Sequence, residues 1–483
     1  MKKIIYTALA LTATLLSSCN DWLDVSPREQ VKSDEIYQTE SGYKMVLNGV
    51  YIDIVDENLY GKNTTMYFPE LLARNFTIPS TAGTEHSIGT YDFTYSSVET
   101  LISTIYKNYY TAIAQLNDLL ENLDKPGCRF SYDNDKLLRG EALGLRAFLH
   151  LDLLRYFGPV PATASNSDEG VPYVTTVTNQ TGSLTSKTYG ENIRLILADL
   201  DKAEQLLAVY DPVAHHSVDS LKRAQYVGVN NMPKDSWQMY RQNRFNYYAV
   251  LATKARLYHW TGDKANAVKY ASMIVDAKKF KLVDGSTVNN SLDMYQEHIF
   301  GLENPDLQTI VEPLFGATSS ALTQTTTYLN KIYESTVNVN DIRYAGNRYW
   351  QEKTLNNGAK TRLFYKYTGN DNTEADNRLP LIRLAEMYLI LIEDNDLATA
   401  KPYLSDFRTA RALDASVVDD GVASESAREK RLELEWRKEF MGEGQMFFYY
   451  KLHNVQKFTM PSNYTVPAGG YVIPKPKGQT DFE

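Results

Sequence analysis

The chain predicts a mainly α fold of tetratricopeptide-like helix pairs carrying a long, irregular, loop-rich lobe. Three observations point there. Apolar residues recur at spacings of three and four in segment after segment, as one face of a helix requires. One neighbouring pair of such segments, "YYAVLATKARLYHWTGDKANAVKYASMIVDA", sets Leu251, Ala255, Tyr258, Ala267 and Ala271 at the large, small, aromatic, small and packing positions of a tetratricopeptide repeat. Between the helical stretches lie long runs rich in Thr, Ser, Asn, Gly and aromatics that show no helical stripe.

The elements follow in order. Residues 1–18 read as an export signal: Lys2 and Lys3 are the positive start, and 4–16 is an apolar run too short for a stable membrane span. Helical stripes follow over 101–123 and 138–153, where Leu138, Ala142, Leu145, Leu149 and Leu153 form one apolar face and Gly158-Pro159 stops the helix. Further stripes cover 189–207, 245–260, 264–277, 381–392, 397–413 and 429–440. The body, 19–483, reads as a single domain interrupted near 60–98, 211–242 and 279–378. Loops of that length inside a compact domain are uncommon unless they carry function, so the interruptions are where a site is expected.

Composition narrows the function. The chain has 483 residues, 43% of them hydrophobic, enough for a large core. The formal charge is -9, and loss of Lys2 and Lys3 with the signal takes it to -9 - 2 = -11, which argues against nucleic acid as a partner. Only two cysteines occur, Cys19 and Cys128. Leu16-Ser17-Ser18-Cys19 is similar to a bacterial lipobox, in which the cysteine becomes the first mature residue and its thiol is acylated; lipidation of Cys19 leaves Cys128 without a partner for an intramolecular disulfide.

No HExxH, CxxC, GxGxxG, P-loop or GxSxG pattern is present, and no metal-ligand or cofactor motif is found. Glu433, Glu435, Glu439 and Glu443 alternate with Arg431, Arg437 and Lys438 in "RLELEWRKEFMGEGQ", a pattern expected of an ion-pair network more than of a glycosidase pair. Tyrosine is abundant, at 35 residues against 17 Phe and 5 Trp. An aromatic face stacks on sugar C–H groups while Asn and Arg bond hydroxyls, so the aromatic-rich loops nominate ligand contacts. The candidates are Tyr67, Arg74, Asn75, Tyr91 and Tyr95 in the first loop and Tyr328, Tyr349 and Trp350 in the third.

Several short segments, in order, resemble the SusD/RagB family of Bacteroidetes surface lipoproteins. They are "CNDWLDVSP", "EALGLRAFLHLDLLRYFGPVP", "RLAEMYLILIE" with "FRTARA", "EFMGEGQMFFYYK" and the closing "YVIPKPKGQTDFE". Gln445 stands where the family often has Arg, and Tyr449-Tyr450 where it often has Asp-Leu. The resemblance implies a SusD-like fold with four tetratricopeptide-like pairs and a binding role without catalysis or cofactor. It also implies an outer-membrane lipid anchor facing the cell exterior, with a SusC-like TonB-dependent transporter as partner. An oligosaccharide is the expected ligand, with an oligopeptide as the alternative. A glycan-degrading surface enzyme and a scaffold that binds only protein are the other readings.

Overall fold

The helices pack largely in the order in which they occur. The computed structural model describes residues 33–177, 184–290, 292–318, 320–354, 358, 360–367, 377–413, 421–460 and 462–480. The signal segment and Cys19 lie outside them. The helices of eight residues or more are α1 (Glu40–Val55), α2 (Ser96–Leu123), α3 (Asn134–Phe157), α4 (Tyr189–Tyr210), α5 (Tyr247–Thr261), α6 (Lys264–Ala277), α7 (Leu307–Phe315), α8 (Leu384–Asp394), α9 (Leu397–Ala410), α10 (Glu425–Glu439) and α11 (Gln445–Leu452).

Four pairs result: α1 on α2, α3 on α4, α5 on α6 and α8 on α9. In α5 and α6 the reason is visible residue by residue. Ala255, Ala267 and Ala271 are fully buried and let the two helices approach, and Gly262, at φ +77°, makes the turn between them. Tyr258 and Tyr270 stack across the pair at 5.7 Å with planes 9° apart. Helix α4 starts on a capping box, Thr188 accepting from the Glu191 amide while the Glu191 carboxylate accepts from that of Thr188.

Three differences from the expected elements have physical causes. Helix α3 is buried on almost every side rather than along one stripe. It is the central helix, and its charged residues are paired inside the protein: Arg146 meets Asp199 at 2.8 Å and Arg155 meets Asp152 at 3.0 Å. Residues 381–383 belong to a strand, not to α8. Helix α1, absent from the sequence reading, buries Tyr43, Leu47, Val50 and Ile54 at spacings of four, three and four.

The strands are short: β1 (His298–Glu303), β2 (Thr323–Gln324), β3 (Trp350–Thr354), β4 (Lys360–Phe364), β5 (Arg378–Arg383), β6 (Lys457–Phe458) and β7 (Tyr464–Thr465). β1 pairs antiparallel with β5, β4 lies between β2 and β3, and β6 pairs with β7. The three interruptions are not bare loop, since short helices such as Phe68–Leu72, Pro212–His215 and Thr326–Ile332 stand within them. One contiguous apolar cluster runs from Tyr37 to Ile473.

Helix α10 carries a buried ionic junction. Glu435 is met by Arg343 at 3.0 Å, Lys438 at 2.8 Å and Arg408 at 3.3 Å. Glu439 is met by Arg383 and Arg411, each at 2.7 Å, and by Arg343 at 3.1 Å. Glu443 takes Arg383 and Lys366. Burial alone would raise the Glu439 carboxyl, but these guanidiniums hold it well below the carboxylate range. Of the alternating charges of 431–443, Arg431, Glu435, Lys438, Glu439 and Glu443 thus belong to an ion-pair network that ties α9, β5 and the third interruption to α10. Glu433 lies beside it and accepts from the Tyr450 hydroxyl at 2.9 Å.

Candidate functional site

The first and third interruptions meet, as their aromatic content suggests, but they meet through the core. The Thr77 amide donates to the Thr323 carbonyl at 2.8 Å, and Gln324 Nε2 donates to the Asn75 carbonyl at 3.1 Å. Phe76 packs on Phe315 at 5.5 Å and on Trp350 at 5.9 Å. Arg437 sits at the centre, donating to Asn75 Oδ1 at 2.5 Å and to the Tyr328 hydroxyl at 2.9 Å. Glu70, its carboxyl raised by burial to about 7, accepts from Asn75 and from the Gly444 amide, each at 2.8 Å.

That arrangement decides where the nominated residues lie. Asn75, Tyr91, Tyr328, Tyr349 and Trp350 are buried, so none of them presents a free face. The Tyr91 and Tyr349 hydroxyls donate to the carbonyls of Leu72 and Leu292, both at 2.8 Å, and Trp350 Nε1 faces the Tyr333 hydroxyl at 3.4 Å. Two aromatic loops that dock on each other satisfy their polar atoms internally. Tyr67 is half-buried with its hydroxyl on Glu85 at 2.8 Å. Arg74, also half-buried, lies 4.3 Å over the Tyr464 ring. Tyr95, 38% exposed, stands at the start of α2.

A concave surface lies elsewhere, between α1, the end of the second interruption and the segment that leads from β1 into α7. It is an open groove of about 1300 Å³. From α1 come Lys44, Asn48, Tyr51 and Val55, which share one face at helical spacing. From the second interruption come Asp235, Trp237 and Tyr240, from the residues just after it Asn243 and Arg244, and from the third Glu303, Asn304 and Asp306.

Local chemistry positions each of these side chains. Asp235 accepts from the Trp237 amide at 2.9 Å and opens the short turn Ser236–Gln238. Its other oxygen meets Lys44 at 2.5 Å, closing one end of the groove, and the Lys44 ammonium with the Trp237 amide holds the carboxyl below its usual range against the cost of burial. Tyr240 has φ +53°, and this left-handed turn leaves its ring 43% exposed at the rim. The Arg244 guanidinium lies 3.4 Å from the centre of the Trp237 ring and donates to Asn48 at 2.7 Å and to Glu141 at 2.9 Å. Asn243 donates to Glu303 at 2.7 Å, and Asn304 donates to the Val55 carbonyl at 3.1 Å.

Behind the groove lies a buried ionic cluster. Glu141, fully buried, takes Arg241 and Arg244 at 2.9 Å each and the Tyr51 hydroxyl at 2.7 Å. Burial would raise its carboxyl, but the two guanidiniums hold it below the ordinary value. Arg241 also meets Asp211 at 2.9 Å. The groove thus combines one half-exposed indole, one exposed phenol, three amides and several charges, which suits recognition of a polar oligomer with apolar faces. Among the described residues, no group of His, Cys, Asp or Glu is arranged to hold a metal ion. No helix there is long and apolar enough to cross a membrane.

Helix pairs with a loop-built groove define a helical-repeat binding protein, and comparison with known proteins narrows that class. A family model described as "Starch-binding associating with outer membrane" matches residues 21–224, and one described as "SusD family" matches 255–451. The chain belongs to the SusD/RagB family. It is similar in fold to a crystal structure of a SusD superfamily protein from Bacteroides thetaiotaomicron (TM-score 0.69, 19% identity, 91% of this chain and 97% of that one). A SusD superfamily protein from Bacteroides vulgatus matches with TM-score 0.68 at 17% identity, over 92% of this chain and 96% of that one. A SusD-like carbohydrate binding protein from Bacteroides vulgatus matches with TM-score 0.67 at 17% identity, over 90% and 94%. No curated protein matches the sequence.

Proposed function

We propose that this chain is a cell-surface nutrient-binding lipoprotein that captures oligosaccharides and hands them to a SusC-like TonB-dependent transporter. Cys19, acylated, anchors it to the outer membrane on the exterior side. The observation that carries the reading is the groove itself. Trp237 and Tyr240 offer ring surface for sugar C–H faces, beside the amides of Asn48 and Asn243 and the guanidinium of Arg244, which suit hydroxyl groups. The family descriptions and the carbohydrate-binding relative support the same role. The role is capture and release, with the glycan left intact.

Titration calorimetry of the purified chain against a panel of neutral oligosaccharides tests it. Saturable binding that weakens in Trp237→Ala is expected; absence of binding to every glycan, or appearance of cleavage products, overturns it. One observation favours an oligopeptide instead: the nominated loop aromatics are largely buried and form no exposed arc, and the groove is lined by many charged groups. A peptide array run beside the glycan panel decides between the two.

A further inference from the structure

We infer that the groove selects its saccharide by charge, taking uncharged and amine-bearing glycans and rejecting those built from uronic or sulfated sugars. The inference rests on the reading that this groove is the capture site. The charges on its walls are unevenly placed. Its cations, Lys44 and Arg244, are already engaged: Lys44 lies between Glu40 at 2.7 Å and Asp235 at 2.5 Å, and Arg244 pairs with Glu141 at 2.9 Å. Neither has charge to spare for an anionic ligand.

The opposite end is acidic. Asp56 and Glu57 follow the C-terminus of α1, and Glu303 and Asp306 face the same groove from the β1–α7 side; all four are exposed. Glu57 has Lys62 at 2.6 Å; Arg378 stands opposite Glu303 across β1 and β5 but pairs with Asp293 at 2.9 Å, and among the described residues no ion pair reaches Asp56, Glu303 or Asp306. Among the described residues Glu303 accepts from the neutral amide of Asn243, and Asp56 holds Asn58. The negative end of the α1 dipole adds to the same field. Counting Lys44 and Arg244 against Asp56, Glu57, Asp235, Glu303 and Asp306, the lining stands at 2 - 5 = -3. A ligand bearing carboxylates or sulfates would be repelled at the acidic end of the groove, whereas one bearing ammonium groups would be attracted.

The test compares three oligosaccharides of equal length: N-acetylated chito-oligosaccharide, its deacetylated form and oligogalacturonate. Affinities are measured by calorimetry at mildly acidic pH, where the amines are charged. A lysine-containing peptide is the fourth arm. The expected order is deacetylated, then N-acetylated, with oligogalacturonate weakest. Glu303→Gln with Asp306→Asn should reduce the gap between the first two by about two- to five-fold per carboxylate, the worth of an exposed ion pair. In the unaltered chain the same gap should shrink as salt is raised. Equal affinities, or tighter binding of oligogalacturonate, overturn the charge selection while leaving glycan capture standing. Binding of the peptide alone, lost in the double variant, sustains recognition of an ammonium group and overturns the glycan reading; binding of none of the four overturns both.

Discussion

Arg383 donates from Nη1 to Glu439 Oε1 at 2.7 Å, and neither side chain touches solvent. Glu439 is shared with Arg343 and Arg411, so one carboxylate neutralises parts of three guanidiniums. Ionic junctions of this kind add little net stability relative to a well-packed apolar core, but removal of one partner leaves charge buried without compensation. Glu439→Gln keeps the volume and removes the charge. It is expected to destabilise the chain by about 3–5 kcal/mol, read as a lower urea midpoint at unchanged slope.

Gly444 turns the chain between α10 and α11 at φ +74° and donates its amide to Glu70. A Cβ there would stand 2.8 Å from Pro69 Cγ and 2.9 Å from the Thr64 carbonyl oxygen. Gly444→Ala combines backbone strain with a clash against the first interruption. A loss of about 2 kcal/mol or more is expected in chemical denaturation.

Much of this frame was legible in the sequence because its signals are local. Small residues at 255, 267 and 271, Gly158 after α3 and the acid–base alternation of 431–443 each report on neighbours within a few turns. The site was less legible because burial of a loop side chain depends on what docks against it. Trp350 reads as an open aromatic until the two loops are placed face to face and Phe76 packs on it. The groove depends on pairs such as Lys44 with Asp235 and Asn304 with Val55, separated by 191 and 249 positions, which no spacing rule connects. The stretch "DSWQMYRQNR" carried a signal in its Trp, Tyr and two Arg, and it lies within the second interruption and the few residues beyond it.

His259 on α5 has Nδ1 at 2.7 Å from Asp394 and Nε2 at 3.8 Å from Glu393, and Glu393 also meets His453 at 2.8 Å. Burial disfavours the charged ring, but the two carboxylates raise it to about 9. A histidine raised above its unfolded value of roughly 6.5 contributes stability that is full below that pH and is lost as pH rises through the folded value. Unfolding free energy should therefore fall between about pH 6.5 and pH 9, by on the order of 3 kcal/mol. His259→Gln should flatten that slope in a pH series of urea titrations.

Cys19, ahead of the described residues, is expected to act as an attachment point. Cys19→Ala should leave a folded body with an unchanged melting temperature that no longer sediments with membranes, because the proposed acyl anchor would be lost with the thiol. Retention in the membrane fraction without a partner would count against the anchor.

The location of the ligand can be tested by setting two surfaces against each other. Trp237→Ala with Tyr240→Ala strips two rings from the groove, while Arg74→Ala with Tyr95→Ala removes two of the accessible members of the first loop. Tyr240 is exposed at the groove and Trp237 is half-buried with Arg244 near one side of its ring, so their loss should leave the fold intact and weaken binding of a neutral oligosaccharide about tenfold or more, as expected for stacking groups. The Arg74 and Tyr95 pair should change affinity less than about twofold, since Arg74 is occupied by the Gly89 carbonyl and the Tyr464 ring. Calorimetry with one glycan across the four single and two double variants reads both effects. A larger loss in the Arg74 and Tyr95 pair would move the site to the junction of the first and third interruptions.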